Sequence, residues 1–334
     1  MGVMSILKTA NDETILEATQ IIKEGGLVAL PTETVYGLGA NALDGQAVAR
    51  IFEAKNRPSF NPLIVHVADV ESAEQIVQIN ARARAIADEF WPGPLTLILP
   101  KQINSTVSDL VSAGLPTIAI RIPAHKIARA LIKQAGVPIA APSANASGEP
   151  SATTPRHVLD SLGDNAPFIL AAGACDVGLE STVLDLSGDT PVILRPGAIT
   201  AEDLEPYLGK VDYDLGHKDA EKDSVKSPGQ ILKHYAPSIP LRLNAVDLEK
   251  GEALLAFGSI KFMGIRGGGS AQDLGEDAYR NLSEESDLIE AASNLFTMIR
   301  DLDIPENKGI AVMSIPNQGL GIAINDRLNR AAQG

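Results

Sequence analysis

The stretch Lys55-Asn56-Arg57-Pro58-Ser59-Phe60-Asn61-Pro62-Leu63 joins two predicted elements of the chain. Residues 47–54 before it carry apolar side chains at the i, i+3, i+4 spacing of one helix face. Its two prolines stop that helix, because proline cannot continue a helix and holds the preceding residue extended. Residues 63–67 form an apolar run that predicts a strand. Helix, loop and strand in this order fit an α/β fold.

Three residues give this loop a cationic and amide character, namely Lys55, Arg57 and Asn61. Arginine presents a planar fork to phosphate and lysine a mobile point charge, so the loop predicts an anion-binding site. The same two cations could instead be solvated side chains after a helix C-terminus, where they favour the helix dipole. The loop alone leaves both interpretations open.

The composition limits the classes of protein that the chain can belong to. Its 334 residues are enough for one large domain or two medium domains. A net charge of −14 and an aromatic content of 4% oppose a broad nucleic-acid surface, so no strong direct nucleic-acid binding is expected. We find no apolar run long enough for a membrane span and no signal peptide, and we expect a cytoplasmic protein.

The single cysteine of the chain is Cys175. An intramolecular disulfide is therefore impossible, which fits a reducing compartment. Its apolar neighbours favour a buried structural thiol over a nucleophile. The chain also lacks the paired His and Cys spacings of a metal site.

Predicted strands and helices alternate over residues 1–206, which predicts an α/β domain. Helices are predicted over 14–24, 71–79, 81–90, 126–135 and 154–162, and strands over 27–30, 95–99, 118–123, 137–141, 168–171, 181–186 and 192–194. In the strand 118–123 three isoleucines share one face, and Arg121 lies on the other, where it is either solvated or lines a polar cavity. Residues 31–39 and 142–151 predict close-approach loops at strand ends. Such loops favour one concave polar site.

The composition changes after residue 206. Residues 207–240 predict a linker, with a charge-dense part followed by an apolar and aromatic segment over 227–237 that we expect to dock. Residues 241–334 predict a second, smaller α/β domain. Its strands are predicted over 241–243, 253–257 and 309–314, and its helices over 286–301 and 322–332.

Six short motifs in order over residues 10–205 resemble the YrdC-type family of L-threonylcarbamoyladenylate synthases. They are Pro31-Thr32-Glu33-Thr34-Val35-Tyr36-Gly37-Leu38, the Lys55-x-Arg57-Pro58 loop with Asn61-Pro62-Leu63, Trp91-Pro92-Gly93-Pro94-Leu95-Thr96, Ser143-Ala144-Asn145-x-Ser147-Gly148, Ser181-Thr182-Val183 and Arg195-Pro196-Gly197. The linker and second domain resemble the long, two-domain form. His234-Tyr235-Ala236-Pro237 keeps the pattern of that form's linker, whereas Gln230-Ile231-Leu232 departs from it.

The resemblance implies a twisted mixed sheet with a concave cationic cavity, joined by a long linker to a Rossmann-like C-terminal α/β domain. It implies a nucleotidyltransferase that converts L-threonine, bicarbonate and ATP to threonylcarbamoyl-AMP and pyrophosphate, with Mg²⁺ carried by ATP. The product would pass to a separate transferase that modifies the adenosine beside the tRNA anticodon.

The resemblance also implies two sets of site residues. The ATP set comprises Lys55, Arg57, Asn61, Thr117, Ser143, Asn145, Ser151, Arg195, His234 and Tyr235. The threonine set comprises Thr34, His66, Arg121, Ala141 and Ser181. Lys55 and Arg57 would act electrostatically at the α-phosphate, and no covalent nucleophile is required.

Simpler interpretations of several of these residues stay open at this point. By pattern alone His66 is more often a packed strand residue, Tyr235 a core or turn residue, and Ser143 and Asn145 capping residues. A mobile tether that ends in the docked segment 227–237 predicts a lid over ATP.

Two other functions compete with the synthase. One is an RNA-binding or ribosome-assembly module, which the net charge opposes. The other is a carbamoyltransferase-like domain of the hydrogenase-maturation type. Proteins of that type carry cysteine-rich zinc motifs, which a chain with one cysteine cannot supply.

Overall fold

The computed structural model describes residues 6–58, 60–216, 234–261 and 263–333. Ser59 and residues 217–233 lie outside these ranges, and with them most of the predicted lid and the unusual Gln230-Ile231-Leu232. The chain divides into two compact units. In the described residues, unit 1 takes in 6–147, 151–176 and 180–216, and unit 2 takes in 148–150, 177–179 and 234–333.

Unit 1 is built on one mixed sheet that has eleven strands over the described residues, in the order β1-β8-β2-β3-β7-β4-β6-β5-β9-β10-β11. The strands are β1 (Leu7–Thr9), β2 (Val28–Leu30), β3 (Gly37–Asn41), β4 (Ile64–His66), β5 (Leu95–Pro100), β6 (Thr117–Arg121), β7 (Ile139–Ala140), β8 (Phe168–Ala171), β9 (Thr182–Asp185), β10 (Val192–Arg195) and β11 (Asp212–Tyr213). β11 falls inside the predicted linker 207–240 and pairs with β10.

The helices of unit 1 are α1 (Asp12–Lys23), α2 (Gly45–Lys55), α3 (Val70–Glu74), α4 (Ala81–Phe90), α5 (Asp109–Ser112), α6 (Lys126–Ala135), α7 (Pro155–Leu162) and α8 (Ala201–Leu208). Local sequence explains where several begin and end. Asn11 and Thr14 form a capping box at the start of α1, which satisfies main-chain N–H groups that the first turn leaves free. Asn56 ends α2 in the left-handed conformation, a conformation that asparagine tolerates better than most residues.

The two faces of the central strands have different surroundings. Ile118, Ile120 and their neighbours belong to the main apolar core. The opposite face carries a smaller apolar cluster, formed by Ile64, Ile98, Ala119, Val183 and Leu194. Because side chains alternate along a strand, His66 shares this second face with Ile64, and Arg121 shares it with Ala119.

Two predictions about local structure are wrong. The helix predicted over 71–79 ends at Glu74, because the residues after it bond to the end of β5 and to the chain that follows. Gln78 N donates to Pro100 O at 2.8 Å, and Gln102 N donates to Ile76 O at 2.9 Å. The predicted loop 31–39 contains the start of β3. Glycines are poor strand formers, but a Cβ on Gly39 would lie 2.7 Å from the Leu30 side chain, so the close pairing of β2 and β3 requires one there.

Unit 2 contains a four-stranded parallel sheet in the order β12-β15-β13-β14. Its strands are β12 (Leu241–Arg242), β13 (Glu252–Ala256), β14 (Tyr279–Asn281) and β15 (Gly309–Val312), and its helices are α9 (Leu288–Leu302) and α10 (Leu320–Ala331). Both helices pack on one face of this sheet. The short strand β14 was not predicted, and only its two neighbours in sequence, β13 and β15, carry clear apolar runs.

Candidate active site

Arg121 lies at the end of β6 and is 3% exposed. Its guanidinium makes three hydrogen bonds: Nε donates to Gly93 O at 3.0 Å, Nη1 donates to Thr34 Oγ1 at 2.9 Å, and Nη2 donates to Glu33 Oε1 at 2.5 Å. The prediction that Arg121 lies on the face opposite the isoleucines is therefore confirmed. Its side chain lies in a buried polar environment and is not solvated. We call Glu33, Thr34, His66 and Arg121 the Arg121 cluster.

Glu33 completes this cluster from the loop after β2. Its second oxygen, Oε2, accepts a hydrogen bond from Ala124 N at 3.1 Å. Burial by itself would raise the pKa of the Glu33 carboxyl, but the Arg121 charge and the hydrogen bonds to both oxygens hold that pKa below its usual value. Glu33 and Arg121 therefore form a charged pair at neutral pH.

His66 pairs in register with Arg121 across β4 and β6. Burial, followed by the positive charge of Arg121, lowers the pKa of His66 to about 3. The imidazole is therefore neutral at pH 7. Its Nδ1 is buried and has no hydrogen-bond partner among the residues that the structure describes.

Ser181 and Arg195 meet beside this cluster. Arg195 donates from Nε to Ser181 O and from Nη2 to Ser181 Oγ, both at 3.1 Å. The same hydroxyl lies 2.7 Å from Thr96 Oγ1. A Cβ on Gly197 would lie 2.4 Å from Thr182 N, so the chain after Arg195 can pass this strand end only with glycine there. Arg195 of the predicted ATP set is thus hydrogen-bonded to Ser181 of the predicted threonine set.

Lys55 ends α2 and is buried, with 1% of its surface exposed. Its Nζ donates to Ser143 O at 2.6 Å and also to Asn145 O. Its own carbonyl accepts a hydrogen bond from Ser147 N at 2.9 Å. Lys55 therefore holds the predicted loop 142–151 through the main chain of that loop.

Arg57 and Asn61 come together in the loop that follows α2. Arg57 donates from Nη2 to Pro62 O at 3.1 Å and from Nε to Asn61 O at 3.4 Å. The Asn61 side chain is 1% exposed, and its Oδ1 has no partner among the described residues. We call Lys55, Arg57, Asn61, Ser143 and Asn145 the Lys55 cluster.

The loop after β2 lies between these two clusters, because Gly37, three residues after Thr34, pairs with Ser143. Ile64 pairs with Ala119, and His66 pairs with Arg121. Asn61 precedes β4, whereas His66 ends β4 and Arg121 ends β6. Thr117 begins β6, and Ala141 N donates to Ile64 O at 2.9 Å, so both of these predicted residues lie beside the first residues of β4 and β6.

Ser151 is fully buried and donates its hydroxyl to Glu180 Oε1. Of the other predicted residues, His234 and Tyr235 belong to unit 2. Tyr235 is 1% exposed and packs with its ring centroid 5.4 Å from that of Phe296. The prediction that His234 and Tyr235 contact a nucleotide is not tested by these contacts and stays a prediction, as does the cationic cavity.

Several residues of the site were missed at the sequence level. Glu33 and Gly93 stand inside quoted motifs, but nothing in the local pattern distinguishes a buried glutamate from a solvated one. Thr96 contacts the predicted residue Ser181, and Glu180 contacts the predicted residue Ser151. Cys175 is buried, as expected, and burial raises the pKa of its thiol to about 12.

A metal-binding cluster and a membrane-spanning helix are both absent from the described residues. No group of three or more His, Cys, Asp or Glu side chains is placed to hold a metal ion in the part of the chain with described coordinates. In the same part, no helix has both the length and the apolar character needed to cross a membrane.

Comparison with known proteins first defines the class. Residues 20–197 match the Sua5_yciO_yrdC family, whose description reads "Telomere recombination". The chain belongs to this family. Residues 199–333 match a second family, described as "Threonylcarbamoyl-AMP synthase, C-terminal domain", so the two-domain organisation of the family is present as well.

Relatives of known name then make the similarity specific. The chain is 41% identical over 330 residues to a Bacillus subtilis protein named threonylcarbamoyl-AMP synthase, covering 98% of this chain and 95% of that protein. A Pyrococcus abyssi protein of the same name is 40% identical over 337 residues, covering 99% and 97%. The crystal structure of P. abyssi Sua5 complexed with L-threonine superposes with a TM-score of 0.85 at 38% identity, covering 98% and 96%.

These findings confirm the predicted family, its long two-domain form, and the mixed α/β sheet with a smaller second domain. The predicted domain boundaries and the individual site residues are not tested by them and stay predictions.

Proposed function

We propose that the chain is a threonylcarbamoyl-AMP synthase, which converts L-threonine, bicarbonate and ATP to threonylcarbamoyl-AMP and pyrophosphate. The observation that carries the proposal is the similarity to two proteins of this name over at least 95% of their lengths. The P. abyssi structure, which contains L-threonine, supports an amino-acid site in the same fold.

The Arg121 cluster is the proposed threonine site. An arginine that is already fixed in orientation can bind a carboxylate through two parallel hydrogen bonds. The neutral imidazole of His66, with its unpartnered Nδ1, and the hydroxyl groups of Thr34 and Ser181 would bind the amine or the side-chain hydroxyl. The main chain at Ala141 is assigned to the same substrate. A buried hydrogen bond to the threonine hydroxyl would favour threonine over valine by about 10⁴-fold.

The Lys55 cluster is the proposed triphosphate site. The cations Lys55 and Arg57, with Arg195, would neutralise the phosphates and the charge that develops on phosphorus. The unpartnered Oδ1 of Asn61 is an acceptor for a nucleotide N–H or hydroxyl group. Thr117, Ser143, Asn145 and Ser151 are assigned to ATP as well. Because the reaction transfers AMP from ATP to the carbamate, we assign this enzyme to the nucleotidyltransferases, and no covalent intermediate with the protein is required.

The reaction would proceed in two steps. The threonine amine attacks the bicarbonate carbon, with loss of hydroxide as water and formation of a carbamate. A carbamate oxygen then attacks the α-phosphorus, and the bond to the β-phosphate oxygen breaks to release pyrophosphate. Mg²⁺ enters as part of the ATP substrate. Because a carbamate decomposes in water, both steps need one site that positions the reactants.

The product is a mixed anhydride and needs an acceptor. We propose a separate tRNA threonylcarbamoyl transferase as the downstream partner and the cytoplasm, where ATP and tRNA are present, as the location.

Pyrophosphate release is the test. The full chain is incubated with Mg²⁺-ATP and bicarbonate, with and without L-threonine. Released pyrophosphate is measured, and the mass of the nucleotide product is determined by mass spectrometry. We expect threonine-dependent release and a product with the mass of threonylcarbamoyl-AMP. Release at an equal rate without threonine would contradict the proposal.

A further inference from the structure

Glu33 is a buried charged residue that the proposed reaction does not yet use. Both of its oxygens are occupied, Oε1 by Arg121 Nη2 and Oε2 by Ala124 N, and the residue is 7% exposed. A buried ion pair is weak support for stability, because a well-packed apolar pair of the same volume is often at least as stable. The pair therefore invites a functional explanation.

The hydrogen bonds of Arg121 show what Glu33 contributes. A guanidinium has five N–H groups, and three of them bind Gly93 O, Thr34 Oγ1 and Glu33 Oε1. Among the described residues the other two N–H groups have no partner, and two is the number that a carboxylate uses in a paired contact. Glu33 and Gly93 hold two different nitrogens of the guanidinium, so its plane is fixed before any ligand arrives.

The charges of the cluster add a second constraint. Glu33 is negative, Arg121 is positive and His66 is neutral, because burial lowers the pKa of His66 to about 3. The three groups therefore sum to zero. Arg195, which is bonded to Ser181 beside these groups, adds one positive charge. The Glu33 carboxylate therefore offsets one of the two nearby cations, and it disfavours an amino acid with a second carboxylate by like-charge repulsion.

We propose that Glu33 is a positioning and specificity residue that orients Arg121 for the carboxylate of L-threonine and excludes acidic amino acids. This inference rests on the proposed function. The removal of the Glu33 charge weakens its hold on Arg121 and leaves the cluster with a net charge of +1, so a second carboxylate becomes acceptable.

The test compares Glu33→Gln with wild type in the pyrophosphate assay. We expect the KM for threonine to rise at least tenfold while the KM for ATP stays within twofold. We also expect L-aspartate to inhibit the variant competitively against threonine at a concentration at least tenfold lower than for wild type. Glu74→Gln is the matched control, since it breaks an exposed Glu–Arg pair in the same unit, and both constants should stay unchanged.

Other outcomes separate this inference from the proposed function. An unchanged threonine KM, or an equal rise in both KM values, overturns the role of Glu33 while wild-type synthesis stands. Absence of threonine-dependent synthesis in wild type overturns the proposed function itself. If Glu33→Gln does not fold, Glu33→Asp keeps the charge but shortens the reach. It should raise the threonine KM without any gain in aspartate inhibition, and an unchanged KM would contradict the positioning role.

Discussion

The Arg121 cluster and the Lys55 cluster both hold a buried cation, but by different means. Arg121 is bound by the side chains of Glu33 and Thr34 and one carbonyl, whereas Lys55 donates to the carbonyls of Ser143 and Asn145. Side-chain partners set a cation's direction and can be removed singly. Main-chain partners depend on the path of a whole loop. A single substitution of a partner residue should therefore change the orientation of the Arg121 side chain without unfolding the protein. The same is harder to achieve at Lys55.

The largest change in stability is expected when Arg121 is replaced and its partner Glu33 stays buried. Arg121→Met leaves the Glu33 carboxylate buried without its cation, and we expect a loss of about 3–5 kcal/mol in the free energy of unfolding. Urea denaturation of unit 1 by a local fluorescence probe measures it. The double variant Glu33→Gln/Arg121→Met should recover part of the loss. Losses that simply add in the double variant would show that the two side chains act independently.

Lys55→Met tests the cluster held by the main chain. We expect synthesis to fall by about 10²–10³-fold, as for loss of one electrostatic group at a reacting centre. No single second substitution should restore activity, because the partners of Lys55 are carbonyls. Lys101→Met, which removes an exposed partner of Asp109, is the control. Equal activity in the Lys55 and Lys101 variants would remove Lys55 from the site.

The pH dependence of stability gives a smaller effect at His66. Its pKa is about 3 in the folded chain and about 6.5 in an unfolded one. Below pH 6.5 the unfolded state therefore binds a proton that the folded state refuses, and stability falls toward pH 3 by about 1.4 kcal/mol per pH unit. The difference in unfolding free energy between wild type and His66→Gln should shrink as the pH falls from 7 to 5. A difference that is constant over this range would contradict burial of a neutral His66.

Ser181→Ala should give the smallest change. The variant loses the hydroxyl shared by Arg195 and Thr96, at a cost of about 1 kcal/mol in unfolding free energy, while the bond from Arg195 Nε to Ser181 O is kept. The threonine KM should rise a few-fold and the threonine-over-valine preference should fall. Steady-state assays with both amino acids measure this, and an unchanged preference would assign the hydroxyl to structure alone.

Elements with strong periodicity could be predicted from the sequence. The helix predicted over 126–135 coincides with α6, and the strand predicted over 168–171 coincides with β8. β3 was missed because Gly37-Leu38-Gly39 has no strand propensity, and its pairing is imposed by the distant segments β2 and β7. β11 was missed since a two-residue strand exists only through its partner β10.

The site shows the same limit. Arg121 could be assigned from its place opposite the isoleucines, because alternation along a strand is a local property. Glu33 could not, because its importance depends on a guanidinium 88 positions away in the chain. Likewise, Lys55 binds the carbonyls of Ser143 and Asn145 because of the path that the loop after β7 takes. The local sequence around Lys55 does not specify that path.

The most direct measurement determines the KM for threonine and the KM for ATP in parallel for Arg121→Lys and Arg57→Lys. Both substitutions keep the charge and remove the planar fork. The two-cluster account predicts a crossover: Arg121→Lys should raise the threonine KM at least tenfold with little change for ATP, and Arg57→Lys should do the reverse. If each substitution raised both constants equally, the assignment of the two clusters to two substrates would be contradicted.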